Sequence, residues 1–184
     1  MLPERFLPLG YRFLVYFEFN PQDTKPATFE AGVDRVVDSF KTDPRNSYDL
    51  MFQSVSGLSV DIETEEYAEG GENRFKHTLP VRTKYPNLVL KRGLAPSSAA
   101  TKWIKDAVEK FQFKPANLTI ILQNDLLVPL HVWSINHAIP VKWSVDAFNA
   151  EESKIVIETL ELKYNYFSTK NPEDLGVDVK GLIP

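Results

Sequence analysis

The sequence predicts a mainly β fold, a β-barrel or sandwich, with one principal α-helix packed on its outside. Apolar and polar residues alternate with period two in several short stretches, clearest around 13–19, 118–122 and 160–166. Turn-forming Gly, Pro, Asn and Asp separate these stretches, as in Asn20-Pro21 and Asn124-Asp125. Only one window, 100–111, carries a clear three- and four-residue apolar repeat, so strands outnumber helices and must pack on one another.

In chain order, Phe13, Val15, Phe17 and Phe19 alternate with Leu14, Tyr16 and Glu18, a strand with one apolar face and a second, partly covered face suited to an interface. Asn20-Pro21 ends it. Phe29, Val33, Val36, Val37 and Phe40 then recur at helical spacing, which predicts a short amphipathic helix despite Gly32, and 42–49 forms a returning loop. Leu58, Val60 and Ile62 alternate with Ser59, Asp61 and Glu63, which predicts a half-buried strand. Val55 has the opposite parity, so a bulge at Gly57 would switch the register. After Tyr67, Ala-Glu-Gly-Gly-Glu-Asn lacks apolar periodicity and should leave the sheet as a loop. Leu88 and Leu90 share the inward face of the next strand, which Gly93 closes.

Pro96-Ser97 reads as a helix entry. Ala100, Trp103, Ile104, Ala107, Val108 and Phe111 then form the buried stripe, with Thr101, Lys102, Lys105, Asp106, Glu109 and Lys110 outward. Pro115 stops the helix. Leu118, Ile120 and Leu122, then Val128, Leu130 and Val132, predict a hairpin; Asn136–Pro140 breaks the pattern, and Leu160, Leu162, Tyr164 and Tyr166 restore it. Glu158 has the parity of Leu160 and Leu162. An inward carboxylate needs a partner, and Lys91 or Arg92 could supply it. The expected core is therefore Leu58, Val60, Ile62, Leu88, Leu90, Trp103, Ile104, Leu160 and Leu162.

At 184 residues and 43% hydrophobic, the chain reads as a single domain spanning 1–184. It has no cysteine, which excludes disulfides and thiolate metal sites. The start lacks the basic and apolar blocks of a signal peptide, and no run is long enough to insert in a membrane. A net charge of −4 with interspersed signs argues against specific nucleic-acid binding.

Asp61, Glu63 and Glu65 share a strand face and could act as acid and base or hold a hard cation. A row on one strand face is ordinarily a solvated or subunit-facing surface, and nothing here sets their pKa values apart. Adding Glu66, Glu69 and Glu72 does not produce a calcium-loop spacing. His131 and His137 lack a third ligand in any zinc spacing, and His77 is distant. No nucleophile elbow, phosphate loop or dinucleotide fingerprint occurs, so catalytic, cofactor-binding and metal residues are expected to be none. Trp103, Trp133 and Trp143 read as packing residues before stacking platforms.

Four blocks, "VSGLSVDIETEEYAEGGEN" at 55–73, "LPVRTKYPNLVLKRGL" at 79–94, "PLHVWSINHAIPVKWSVDAFNA" at 129–150 and "IVIETLELKYNYF" at 155–167, together resemble the tail-tube family of contractile-tailed phages and phage-like contractile injection systems, whose fold is shared with the type VI secretion tube protein. Residues 20–50 then stand out as an insertion and 168–184 as a C-terminal extension. The resemblance implies a non-enzymatic structural subunit forming stacked hexameric rings, with itself, a sheath protein and baseplate or hub proteins as partners. Cargo DNA or effector protein would pass through the lumen. It implies assembly in the bacterial cytoplasm, then residence in a tail or injection particle. A specialised initiator ring at the baseplate and a secreted ring-forming effector carrier are the alternatives. The expected assembly interface is Asp61, Glu63, Glu65, Glu66, Tyr67, Glu69, Gly70, Gly71, Glu72 and Asn73, a charged strand face leading into an adaptable glycine-bearing arm.

Overall fold

The computed structural model describes residues 12–19, 51–71, 74–95, 98–124, 129–147 and 155–170. The sequence reading of 20–50 and of the extension beyond Lys170 lies outside them. Strand β1 (Arg12–Glu18) pairs antiparallel with β7 (Ala116–Gln123), β7 with β8 (Pro129–Val145), and β8 with both β9 (Ile157–Lys163) and β10 (Tyr166–Lys170). Strand β9 pairs with β6 (Leu88–Gly93), and β6 with β3 (Ser54–Ser56).

The two free edges meet through one short segment. β2 (Met51–Phe52) pairs with β1, β3 pairs with β6, and Gln53 between them donates its backbone N–H to the Lys91 carbonyl at 2.8 Å. Residues 51–56 thus fill the gap between β1 and β6 and close the sheet into a barrel, which removes the exposed edges of an open sheet.

Strand parity decides the interior. Phe13, Val15 and Phe17 lie opposite Leu122, Ile120 and Leu118, and Leu88 and Leu90 lie opposite Leu162 and Leu160. Val15, Leu88, Leu90, Ile120, Ile135, Leu160 and Leu162 are fully buried. Each contributes about 1.5–3 kcal/mol relative to exposure. On the other face Leu14, Ile121 and Val132 are also buried, so the second face of β1 is covered within the subunit at Leu14.

Helix α1 (Ala99–Lys110) joins the end of β6 to the start of β7, strands on opposite sides of the barrel, and so crosses one mouth outside the ring of strands. Ala100, Trp103 and Ile104 enter the same apolar cluster as the inward strand residues. Trp103 packs against Phe17 and Phe19, at ring separations of 6.0 and 5.6 Å, and its Nε1–H donates to the Lys114 carbonyl at 2.7 Å. The helix starts one residue later than the sequence suggests: Ser98 is the N-cap, its Oγ accepting from the Thr101 N–H at 3.3 Å. Pro96 and Ser97 lie outside the described residues.

Three positions differ from the predicted pattern. Val108 and Phe111 are exposed, whereas Thr101, expected outward, is buried. Thr101 is turned inward toward Arg92. Arg92 Nε donates to Glu158 Oε1 in a buried ion pair, and its Nη2 donates to Ser98 Oγ at 2.5 Å and Thr101 Oγ1 at 3.1 Å. The guanidinium also lies 5.1 Å from the Phe52 ring centroid, and Trp143 Nε1–H donates to Glu158 Oε2 at 3.4 Å. Desolvating such a pair costs several kcal/mol per ion, and these further hydrogen bonds offset the cost. The inward Glu158 and its partner Arg92 stand directly opposite in the β6–β9 register.

Asn136–Pro140 does not interrupt a strand. β8 is continuous: its pairing with β7 ends at Ala138, and β9 takes over from β10 in the same register from Ile139. His137 takes a positive φ of 55° at that point, and its N–H donates to Asn117 Oδ1 at 3.1 Å. Tyr166, expected inward, is exposed because Tyr164 and Asn165 separate β9 from β10. β10 carries barrel structure to Lys170, three residues into the stretch expected as an extension.

The main correction concerns Val60 and Ile62. Both are exposed, Ile62 by 61%, while Leu58 is half-buried against the core. Among the described residues strand β4 (Asp61–Tyr67) does not join the barrel; it pairs with β5 (His77–Lys84) alone, and its residues are exposed on both faces apart from half-buried Glu63.

Candidate assembly surface

The two-stranded ribbon β4–β5 leaves the barrel at Gly57 and returns at Asn87. Gly57 has φ +91°, and a Cβ there would stand 2.0 Å from the Asn87 carbonyl oxygen, so only glycine lets the two chain segments pass this closely. The expected register switch at Gly57 is therefore an exit from the barrel. Tyr164 Oη donates to the Gly57 carbonyl at 2.9 Å, Lys163 Nζ to the Tyr85 carbonyl at 2.9 Å, and Asn87 Nδ2 to Glu161 Oε1 at 2.7 Å. Tyr85 packs on Tyr164 and Phe167, each at 5.7 Å. Burial, with Tyr85 adding, pushes the Tyr164 hydroxyl up to about 12. The ribbon's base is thus fixed to β9 and β10.

Asp61, Glu63, Glu65 and Tyr67 do share one face of the ribbon, but they are not a bare acidic row. In register, Lys84 lies opposite Asp61 and Arg82 opposite Glu63, while Leu79 faces Glu65 and His77 faces Tyr67. The extra residue Val81 forms a bulge opposite Glu63 and Thr64. Arg82 hydrogen-bonds Glu63 and holds its carboxyl below the usual range, with its charge and that of Lys84 adding. Lys76 Nζ donates to Glu66 Oε2 at 2.9 Å, and His77 Nε2 lies 3.6 Å from Glu69.

β4 ends at Tyr67, where the chain leaves the sheet, and β5 begins at His77; Gly70 and Gly71 form a turn in the connection, Gly71 at φ +100°. Glu72 and Asn73 lie outside the described residues.

Sequence reasoning missed the ribbon's second strand and the cations on it. Tyr85-Pro86-Asn87 is the signal that separates β5 from β6. It also missed the ribbon's apolar content: Val60, Ile62, Tyr67, Phe75, Leu79 and Val81 are all exposed. A free two-stranded ribbon is marginal in water, and exposed apolar sets this dense are characteristic of interaction surfaces.

The histidines are dispersed. His131 contacts the Trp133 ring at 4.4 Å and Thr169 Oγ1, and His77 packs against Phe75 at 5.1 Å. Trp133 and Trp143 both pack against the core. Among the described residues no three metal-ligating side chains converge, and no helix is long and apolar enough to cross a membrane.

A closed barrel, a helix across one mouth and an uncovered ribbon at its far end describe a building block. Residues 36–168 match the family model of the T4-like virus tail tube protein gp19. The chain belongs to the T4-like tail tube family. It is a structural tube protein of the kind found in phage tails and contractile injection systems, and so a component of a tail or injection particle. Among solved structures, a chain of the anti-feeding prophage baseplate is 27% identical, with a TM-score of 0.65 over 88% of this tail tube protein and 92% of that chain. A chain of the sheath–tube complex of the extracellular contractile injection system PVC, in the extended state, is 22% identical with a TM-score of 0.63, covering 91% and 94%. A type six secretion system protein shares the fold at 12% identity and a TM-score of 0.52, covering 86% and 83%. No curated protein sequence matches it.

Proposed function

We propose that this subunit forms hexameric rings that stack into the inner tube of a contractile injection particle, conducts cargo through the lumen and performs no chemical turnover. The observation that carries this reading is the ribbon, whose apolar side chains Val60, Ile62, Tyr67, Leu79 and Val81 are exposed although the barrel beside it is closed. Assembly with further copies removes that exposed surface. Sheath protein surrounds the tube and a hub or baseplate protein starts it; the structures it resembles come from a sheath–tube complex and a baseplate. Synthesis and assembly take place in the bacterial cytoplasm, before the particle acts elsewhere.

The interface role extends along the ribbon from Asp61 to its tip, including Glu65, Glu66, Tyr67, Glu69, Gly70 and Gly71, with Glu72 and Asn73 continuing it. Cargo, whether DNA or effector protein, passes without sequence-specific contacts. Electron microscopy of the native particle tests the reading. Six-fold rings of this chain, stacked in many copies per sheath, support it; a persistently monomeric chain absent from any tube overturns it.

A second reading is favoured by the likeness to a baseplate chain at 27% identity: a specialised initiator ring. Copy number relative to sheath separates the two, since an initiator contributes one ring per particle.

A further inference from the structure

The ribbon and α1 lie at opposite ends of the barrel. β6 starts at Leu88, beside the ribbon's exit at Ser56, and ends at Gly93, where the chain enters α1. The C-terminal end of α1 carries a second uncovered apolar patch. Val108, Phe111 and Phe113 are exposed, Phe111 by 82%, and the Phe111 and Phe113 rings meet edge to face at 5.0 Å.

Phe111 is anomalous in a further respect. It takes the left-handed conformation, φ 53° and ψ 33°, at the helix C-terminus, while the Gln112 N–H closes onto the Asp106 carbonyl at 3.2 Å. Glycine or asparagine ordinarily occupies such a position, because a side chain there adds strain. Phe111 is a bulky aromatic at a site that favours glycine, and apart from its edge-to-face contact with Phe113 it is left to solvent, 82% exposed.

Charge distinguishes the two ends. The solvent face of α1 and the segment after it carry Lys102, Lys105, Lys110 and Lys114 against Asp106 and Glu109. Lys110 bonds Asp106 at 2.6 Å and depresses its pKa, and Lys102 and Lys114 act in the same direction. On the ribbon, Glu65 has Leu79 rather than a cation across from it, next to exposed Tyr67.

We propose that the ribbon of one copy seats on the C-terminal end of α1 of a second copy, with Tyr67, Leu79 and Glu65 meeting Phe111, Phe113 and Lys114. The contact joins two different patches from opposite ends of the same subunit. Such a head-to-tail contact propagates from copy to copy and does not close as an isologous dimer. It deepens the proposed tube role and rests on it.

Phe111→Gly tests the contact, because it removes the aromatic and relieves the left-handed strain together. The free subunit should melt at the same temperature or higher, while the concentration needed for rings or tubes, read by electron microscopy and sedimentation, rises at least tenfold. Since the chain has no cysteine, Leu79→Cys with Phe113→Cys provides an independent readout. Under oxidation the double variant should give a ladder of covalent multimers, and each single variant should not. If Phe111→Gly assembles at the wild-type threshold and the double variant gives no ladder although tubes form, the seating is wrong and the tube role stands. If the wild-type chain forms no ring or tube, alone or with its sheath, the tube role fails and the proposal with it.

Discussion

The barrel and the ribbon each contain an arginine directly across from a glutamate on an antiparallel strand pair. Arg92 faces Glu158 in the barrel and Arg82 faces Glu63 on the ribbon. The chemistry and register are alike, and the surroundings are opposite. Side-chain exposures are 2% and 0% for the barrel pair, against 75% and 39% for the ribbon pair. The first pair carries a desolvation cost that Ser98, Thr101 and Trp143 help to offset, and so ties β6, β8, β9 and α1 together. The second stays in water, where an ion pair contributes little to folding. The same contrast holds for apolar residues: Leu88 and Leu90 are dry, whereas Ile62 and Leu79 are not. One region buries its charges and apolar residues within the subunit, and the other leaves them in water.

Removing the dry arginine should break this contrast most severely. Arg92→Met leaves Glu158 buried and uncompensated, and should destabilise the subunit by about 3–5 kcal/mol in denaturant unfolding. Gly57→Ala should follow. It forces a Cβ into the Asn87 carbonyl at a positive φ, costs at least ~1–3 kcal/mol and displaces the ribbon from its base.

Parity along the sequence made the barrel legible: the inward Leu88, Leu90, Leu160 and Leu162 and the anomalous Glu158 follow from period two alone. Parity did not reveal the ribbon, because Val60 and Ile62 alternate like a buried face. Only tertiary placement shows that both are exposed. The acidic row was legible, but its cations were not. Arg82 and Lys84 come opposite Glu63 and Asp61 only once β5 folds back with a bulge at Val81. Exposed Val108 and Phe111 were hidden in the same way, since their spacing matches the buried stripe of α1.

A smaller effect should appear at alkaline pH. Tyr164 ionises near 10 when unfolded and at about 12 when folded. Its contribution is therefore complete below pH 10 and is lost as pH rises toward 12. Tyr164→Phe should remove that component of the pH dependence while also loosening the ribbon base at Gly57. The smallest effect on folding belongs to the wet pair. Arg82→Met should leave the subunit's melting temperature unchanged at neutral pH and alter the salt dependence of assembly. Because Glu63 is held below its ordinary range, its interaction with Arg82 persists above that range and fades as pH falls through the lowered value. In acid, wild type and Arg82→Met should therefore assemble alike.

Amide hydrogen exchange, measured on the free subunit and on assembled tubes, compares the two regions most directly. The amides of β6, β7 and β9 should exchange only through global unfolding in both samples. Those of 61–67 and 77–84 should exchange by local opening in the free subunit and become protected by at least a hundredfold on assembly. Ribbon amides as slow as the barrel's in the free subunit, or equally fast in the tube, would contradict the account that the ribbon is the part of the fold a neighbouring copy completes.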